Sequence, residues 1–137
     1  TLGGIVFGLI LATIIPLATA AYWPDRPRIH SPFKAAAYVL LVLWDICVAN
    51  VLVARIVLFM PNARLRPAWV SVPLDLRSPE AITVLAGTIT MTPGTVSSDL
   101  SADGRAILVH CLHAPDPDSI VAEIKSRYER RLKEIFE

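Results

Sequence analysis

The run from Leu2 to Trp23, LGGIVFGLILATIIPLATAAYW, contains no charged residue. At a rise of about 1.5 Å per residue, a helix of this length crosses a hydrocarbon core of about 30 Å. Tyr22 and Trp23 end the run, where aromatic rings favour the headgroup layer. A cleaved signal peptide is the alternative, but the run has no basic start and no small-residue cleavage site before a soluble region. The run therefore predicts a transmembrane helix over residues 2–23.

Charge is distributed unevenly along the chain. Residues 1–60 carry six charged side chains, whereas the remaining 77 residues carry the other 19. This contrast predicts a membrane-embedded part, residues 1–65, followed by a soluble α/β domain, residues 66–137. The formal net charge is only +1, so the composition gives no reason to expect a nucleic-acid partner.

A second apolar run covers residues 35–60 and is also long enough to cross a membrane. Three polar residues interrupt it: Asp45, Asn50 and Arg55. A basic loop, PDRPRIHSPFK, precedes the run and favours the cytoplasmic side, and Arg64 and Arg66 follow it. A single crossing would place one of these basic flanks on the wrong side of the membrane. We therefore favour a helix that does not cross and lies in the interface or against partner subunits; a crossing helix with weak charge bias is the alternative.

An acidic residue within a membrane segment indicates a functional site, because an unpaired carboxylate in lipid is costly. Asp45 is therefore either a ligand for a cation or proton, or a polar contact to another chain or to water. A single acid without a second carboxylate makes a poor ion path. The sequence favours the structural interpretation.

The second half of the chain has the pattern of a small α/β domain. Alternation predicts a strand within residues 66–76, with Pro73 favouring an edge position. Ser78, Pro79 and Glu80 give helix-start signals for a helix that ends near Met91. Residues 95–100 and 105–113 flank an Asp-Gly turn and predict a hairpin. With a C-terminal helix, the order strand–helix–strand–strand–helix resembles a ferredoxin-like domain without its last strand.

The C-terminal helix is predicted from its caps and its apolar spacing. Asp116 is the predicted N-cap, and Pro117 takes the first helical position. Five residues form its apolar stripe: Ile120, Ile124, Tyr128, Leu132 and Ile135. Two pairs spaced i,i+4 are predicted on its solvated side: Glu123 with Arg127, and Glu129 with Lys133.

The candidate catalytic and metal motifs are weak. In HCLH, a strand would direct Cys111 and His113 to one face and His110 to the other, leaving two ligands where a tetrahedral zinc site needs four. Ser97 and Ser98 lack the nucleophile elbow of a hydrolase. The segment TPGT lacks the glycines and lysine of a phosphate-binding loop. We therefore predict no catalytic residue, no metal site, no cofactor and no enzyme.

Several segments together carry a specific resemblance. These are YWPDRP, LWDICVANVLVAR, VPLDLRSPEAITVLAGTITMTPGT and IKSRYERRLKEIF, which cover nearly the whole chain in order. In this combination the chain resembles the E subunit of the Mrp-type (also called Mnh or Pha) multisubunit cation:proton antiporters.

The resemblance implies a bacterial inner-membrane complex that exchanges Na⁺ or K⁺ for protons. Large subunits similar to those of respiratory complex I would then carry the ion-translocating machinery. This chain would be a small partner of those subunits and of membrane lipid, with a cytoplasmic C-terminal domain. The alternative function is a membrane-tethered regulatory domain that senses a small ligand or ion.

The segment Thr92, Pro93, Gly94 and Thr95 is interpreted as a structural corner. Pro93 stops the preceding helix, and Gly94 can adopt the positive φ that a sharp reversal needs. The threonine hydroxyls can bond exposed backbone groups. We expect this corner to hold the soluble domain against the membrane segment or a neighbouring subunit.

Overall fold

The structure is a computed structural model, and it describes residues 2–22 and 29–137. Two long apolar helices come first: α1 is Leu2–Thr19 and α2 is Pro32–Phe59. Both are long and apolar enough to cross a membrane. A short 3-10 turn, Ala20–Tyr22, follows α1. The predicted end of the first run at Trp23 and the first five residues of the basic loop, including Arg26 and Arg28, lie outside the described residues.

The two apolar helices differ in their surroundings. Every side chain of α1 is exposed. Helix α2 starts at a Ser31 cap, whose hydroxyl accepts a hydrogen bond from the Lys34 N–H at 3.4 Å. It buries one face, on which Tyr38, Val42 and Asp45 lie. Helix α2 is thus packed by the rest of the chain, whereas α1 presents apolar side chains on all sides.

The C-terminal module, which we define as residues 66–137, contains the predicted elements in the predicted order. Its elements are β1 (Ala68–Pro73), α3 (Pro79–Met91), β2 (Thr95–Leu100), β3 (Ala106–Cys111) and a long C-terminal helix. Ser78 caps α3 by accepting from the Ala81 N–H at 3.2 Å. Gly104 has the positive φ, +69°, of the predicted hairpin turn.

The three strands form one antiparallel sheet in the order β1-β3-β2. Both β1 and β2 pair with β3, so the first two strands run parallel to each other with β3 between them. Pro73 lies on an edge strand, as predicted, where its missing N–H breaks no ladder. Alternation along the strands buries one face of the sheet, made by Val70, Val72, Ile107, Val109 and Cys111.

The C-terminal helix, named α4, runs without a break through Pro117–Glu123, Ile124–Glu129 and Arg130–Phe136. Its middle part has π-helical hydrogen bonding, in which the turn is widened. Asp116 precedes the helix as predicted, but its side chain makes no capping hydrogen bond. The predicted stripe is correct, because Ile124, Tyr128, Leu132 and Ile135 are buried and Ile120 is partly buried.

The two predicted i,i+4 pairs on α4 are wrong. Arg127 pairs with Asp45 of α2 rather than with Glu123. Glu129 is 3% exposed and pairs with Lys125 rather than with Lys133. The π-helical turn brings two successive residues, Tyr128 and Glu129, against the rest of the module, which a regular helical spacing does not predict.

Helix α2 packs against α4 and joins the core of the module. Tyr38 and Val42 belong to the same buried cluster as Leu85 of α3 and Leu132 of α4. Burial recurs along α2 with helical spacing: Ala35, Tyr38, Val42, Asp45, Ala49, Val53 and Ile56 are buried or partly buried. We call these residues the inner face of α2. The module therefore covers α2 over most of its length.

Candidate functional site

The central contact between α2 and the module is an ion pair. Arg127 donates two hydrogen bonds to Asp45, from Nε to Oδ2 at 2.7 Å and from Nη2 to Oδ1 at 2.5 Å. This forked geometry is the strongest that an arginine and a carboxylate can form. The Asp45 side chain is 10% exposed and that of Arg127 is 37% exposed. The pairing raises the pKa of Arg127 above its ordinary value, so both groups stay charged.

Two tyrosines complete this joint. Tyr128 donates to Asp45 Oδ2 at 3.0 Å, and its ring meets that of Tyr38 edge-on at 6.5 Å. Burial, together with the hydrogen bond to Asp45, raises the pKa of Tyr128 to about 12. Tyr38 bonds to Thr88 Oγ1 of α3 at 2.8 Å. The carboxylate of Asp45 therefore has three donated hydrogen bonds, all from α4, and is a structural contact within this chain.

The other two polar residues predicted within α2 do not join this site. Asn50 donates to the carbonyl of Ile46 in its own helix, at 2.8 Å. Arg55 is exposed on α2. The three residues Asp45, Asn50 and Arg55 therefore do not form a common cluster.

A second set of contacts fixes the loop between β1 and α3 to α4. Glu129 Oε1 accepts from the backbone N–H groups of Asp75 at 2.6 Å and Leu76 at 3.2 Å. Its other oxygen accepts from Lys125 Nζ at 2.9 Å. This buried carboxylate thus accepts hydrogen bonds from the loop and from one lysine. A buried charge needs such partners because it is removed from water.

Two further side chains contribute to the contacts that fix this loop. Glu137 Oε1 accepts from the N–H groups of Arg77 at 2.6 Å and Ser78 at 2.9 Å. Burial alone would raise the pKa of Glu137, but these N–H donors outweigh it and the pKa is lowered. Lys125 also bonds to the Pro73 carbonyl at 2.9 Å. Carboxylates of α4 and of the residue that follows it thus accept from four successive N–H groups, those of residues 75–78.

The predicted corner lies between α3 and β2 and faces α2. Gly94 has a φ of +93°, and a Cβ built on it would lie 3.0 Å from Val53 Cγ2. Thr92 Oγ1 donates to the Thr88 carbonyl at 2.9 Å, and Thr95 Oγ1 donates to the Ile89 carbonyl at 2.6 Å. Thr95 gives the Ile89 carbonyl at the end of α3 a donor, and the Thr92 hydroxyl is a second donor to the Thr88 carbonyl, which also accepts from the Thr92 N–H. A larger residue here would be strained by the positive φ and would press on the Val53 side chain of α2.

A groove of about 530 Å³ separates part of α2 from the module. Its walls are mainly apolar and include Val48, Leu52 and Ile56 of α2, the corner, and Ile120 of α4. The charged side chains in its lining are Asp45 and Arg127, which are paired with each other, and Glu123.

The residues of the other candidate motifs have structural partners. Ser97 Oγ donates to the Ala86 carbonyl at 2.9 Å, which ties β2 to α3. His113 Nδ1 accepts from the Arg66 N–H at 3.2 Å. The His110 ring packs on Trp69 at 4.8 Å. Cys111 is buried, which raises the pKa of its thiol. Among residues 2–22 and 29–137, no three His, Cys, Asp or Glu side chains are grouped to hold a metal.

Comparison with known protein families decides the affiliation of the chain. The family model described as Na+/H+ ion antiporter subunit matches residues 2–135. The chain belongs to this family. The family consists of transporter subunits and not of enzymes, and with the two apolar helices it places this subunit in a membrane.

Individual relatives of this antiporter subunit agree with the family match. The chain is 32% identical over 137 residues to the probable E subunit of a K(+)/H(+) antiporter of Rhizobium meliloti (strain 1021), which covers 100% of this chain and 84% of the relative. It is 29% identical over 132 residues to the E1 subunit of a Na(+)/H(+) antiporter of Staphylococcus saprophyticus, covering 96% of this chain and 82% of the relative.

Two solved structures resemble the antiporter subunit. A chain of the Mrp complex from Dietzia sp. DQ12-45-1b has a TM-score of 0.56 at 30% sequence identity, covering 78% of this chain and 100% of that chain. A chain of the membrane-bound sulfane sulfur reductase, an archaeal respiratory membrane complex, has a TM-score of 0.74 at 27% identity, covering 98% of this chain and 85% of that chain. Both neighbours are parts of membrane complexes.

The α4 side chains that make the joint in this antiporter subunit are not predicted from its sequence. Helical spacing places both Arg127 and Glu129 in solvated pairs and gives the Tyr128 hydroxyl no role. One signal for the joint is present in the sequence. Asp45 needs a cationic partner if it is buried, and Arg127 lies beside Tyr128 in the apolar stripe of α4.

Proposed function

We propose that this chain is a non-catalytic structural and assembly subunit of a multisubunit monovalent cation:proton antiporter. The complex would lie in the bacterial inner membrane and export Na⁺ or K⁺ in exchange for protons. The observation that carries this proposal is the joint between α2 and the module, in which Asp45 is fully engaged by Arg127 and Tyr128. Asp45, the acidic residue among the described residues of α1 and α2, is therefore bound by side chains of α4 and is not left open to coordinate an ion.

The surface left free by the joint supports a role in assembly. On the side of α2 away from the module, large apolar residues are exposed, among them Leu40, Val51 and Leu58. The side chains of α1 are exposed all round. Apolar surface on this scale marks contact with lipid or with other protein. We propose that it contacts the other antiporter subunits and membrane lipid.

We further propose that α1 crosses the membrane and that α2 does not. The inner face of α2 lies against the module from Ala35 to Val53, a length of about 27 Å at 1.5 Å per residue. If α2 crossed the bilayer, the charged module beside it would have to enter the hydrocarbon core, which is energetically prohibitive. We place α2 in the interface, with residues 66–137 as a cytoplasmic, ferredoxin-like domain without its last strand.

Labelling of single cysteines tests this topology. In a Cys47→Ser background, Phe33→Cys and Phe59→Cys place thiols at the two ends of α2, where the native side chains are 87% and 80% exposed. A membrane-impermeant maleimide added to inside-out vesicles should label both positions, and added to right-side-out vesicles it should label neither. Labelling of the two positions from opposite sides would show that α2 crosses.

The assembly role is tested at the corner. Gly94→Val should reduce the amount of intact complex recovered from gently solubilised membranes and reduce antiport in vesicles in the same proportion. Gly104→Val is the matched control, because Gly104 also has positive φ but a Cβ built on it meets none of the described neighbours within 4 Å. Val53→Ala should partly restore the Gly94→Val complex by opening space at the contact.

Two outcomes would contradict the proposal. The first is a Gly94→Val complex that assembles at the wild-type level. The second is cation-driven pH change in vesicles that contain this chain alone, since a structural subunit transports nothing by itself.

A further inference from the structure

A second cavity, of about 980 Å³, opens at the end of the module where α2 begins. It is bounded by the loop between β1 and α3, by the hairpin turn between β2 and β3, and by the last turn of α4. We call it the basic cleft, because three cationic side chains line it: Arg77, Arg105 and Lys133.

These three cations are available to a ligand. None of the ion pairs or side-chain hydrogen bonds formed within the described part of the chain uses their charged groups. Both carboxylates in the lining already have hydrogen-bond or ion-pair partners in the chain. Asp75 pairs with Lys125 at 2.9 Å, and Asp103 accepts from the Ser101 hydroxyl at 2.6 Å and the Arg105 N–H at 3.1 Å.

Glu137, a third acid near the cleft, also has hydrogen-bond donors. Glu137 lies close enough to Arg77 and Lys133 to interact with them electrostatically, but its carboxylate accepts from two backbone N–H groups. Among the described residues that line the cleft, three cations outnumber two carboxylates, and one of these carboxylates, that of Asp75, is paired with Lys125. The apolar lining comes from Leu74, Ile82 and Leu100. An anionic head with an apolar neighbour fits this combination.

The connection between α1 and α2 limits how far the cleft can lie from the end of α1. His30 donates its N–H to the Ile135 carbonyl at 2.9 Å, two residues beyond Lys133. Eight residue steps separate Tyr22, at the end of the first apolar run, from His30, and a chain of that length reaches at most about 29 Å. With α1 in the membrane, the end of the module that carries the cleft cannot lie more than about 29 Å beyond the end of α1 by this connection.

We propose that the basic cleft binds the phosphate of an anionic phospholipid headgroup, with Arg77, Arg105 and Lys133 as donors to the phosphate oxygens. Leu74, Ile82 and Leu100 then lie against the glycerol and the first acyl carbons. Guanidinium and ammonium groups bind phosphate through charge-assisted hydrogen bonds. The assignment rests on the proposed placement of α1 and not on the role in antiport.

Native mass spectrometry of the full chain in detergent tests the site without a membrane. The probe is dihexanoyl phosphatidylglycerol, which is compared with dihexanoyl phosphatidylcholine and with inorganic phosphate. We expect saturable retention of one phosphatidylglycerol, and we expect its affinity to fall roughly tenfold or more in the triple variant Arg77→Gln, Arg105→Gln, Lys133→Gln. Arg130→Gln is the control, because Arg130 is exposed on α4 outside the cleft and should leave retention unchanged.

The single variants Arg77→Gln and Lys133→Gln keep the test valid if the triple variant does not fold, and each should weaken retention severalfold. Unchanged retention in these variants, or equal loss in Arg130→Gln, would overturn the site. Equal binding of phosphatidylcholine would overturn the preference for an anionic headgroup. Inorganic phosphate binding as tightly as the lipid would overturn the lipid as its source. Because no ion flux is measured, these results are independent of the antiporter assignment.

Discussion

Arg127 of α4 binds Asp45 of α2 through both carboxylate oxygens, although 82 positions separate them in the sequence. The pair fastens an apolar helix to a charged module and accounts for the acid in the middle of α2. Its contribution to stability depends on both charges being present, because a single buried charge without a partner is strongly unfavourable.

Removal of either partner should therefore destabilise the chain. Because the Arg127 side chain is 37% exposed, we expect Asp45→Asn or Arg127→Gln to lower the free energy of unfolding by about 2 kcal/mol, less than for a fully buried pair. The double variant should lose less free energy of unfolding than the sum of the losses in the two single variants. Arg55→Gln, in the same helix but away from the joint, should change the free energy of unfolding by about 0.5 kcal/mol or less. Denaturation of the chain in detergent measures these values, and additive losses would refute the coupling.

Glu129 should control the exchange of two backbone amides. In Glu129→Ala the N–H groups of Asp75 and Leu76 lose their acceptor, and we expect a loss of about 3 kcal/mol from these orphaned donors and the unpaired Lys125. Hydrogen exchange at residues 75 and 76 should accelerate more than exchange in β3. Glu123→Ala is the control, since Glu123 is exposed on the same helix. Equal acceleration in both variants would show that Glu129 does not hold the loop.

Much of the module is predictable because its signals are local. The Ser78 cap, the Asp-Gly turn and the alternation around Val70 and Val72 each depend on a few neighbouring residues, and all three predictions are confirmed. The pairing of Asp45 with Arg127 is not predictable from spacing, because it joins distant segments. The partner predicted for Glu129 is wrong because its carboxylate is buried against the N–H groups of Asp75 and Leu76, which are also distant in the sequence.

The Tyr38–Thr88 contact should respond unequally to its two deletions. Thr88 Oγ1 already donates its single proton to the Val84 carbonyl at 2.9 Å, so Tyr38 must be the donor in their shared bond. Thr88→Val leaves the buried Tyr38 hydroxyl without an acceptor and should cost about 2 kcal/mol, whereas Tyr38→Phe should cost about 1 kcal/mol. Thermal unfolding of both variants measures the difference. A larger loss in Tyr38→Phe would reverse the assignment of donor and acceptor.

Alkaline pH should weaken the joint through Tyr128. Its pKa is raised from 10.0 to about 12 in the folded chain, so the neutral hydroxyl is favoured by folding. This stabilisation is complete below pH 10 and is lost as the pH rises through about 12. The difference in phenolate absorbance between the wild type and Tyr128→Phe should show one late titration. A difference titration near pH 10 would show that Tyr128 is not held by Asp45.

The distance between Asp45 and Arg127 along the chain also has a consequence for biogenesis. A ribosome that adds about 5 to 20 residues per second needs about 4 to 16 s to travel from codon 45 to codon 127. For that interval the carboxylate of the nascent α2 lacks the arginine that binds it in the folded chain. On the proposed topology, we expect α2 to stay at the water-exposed surface until the last helix emerges and supplies Arg127.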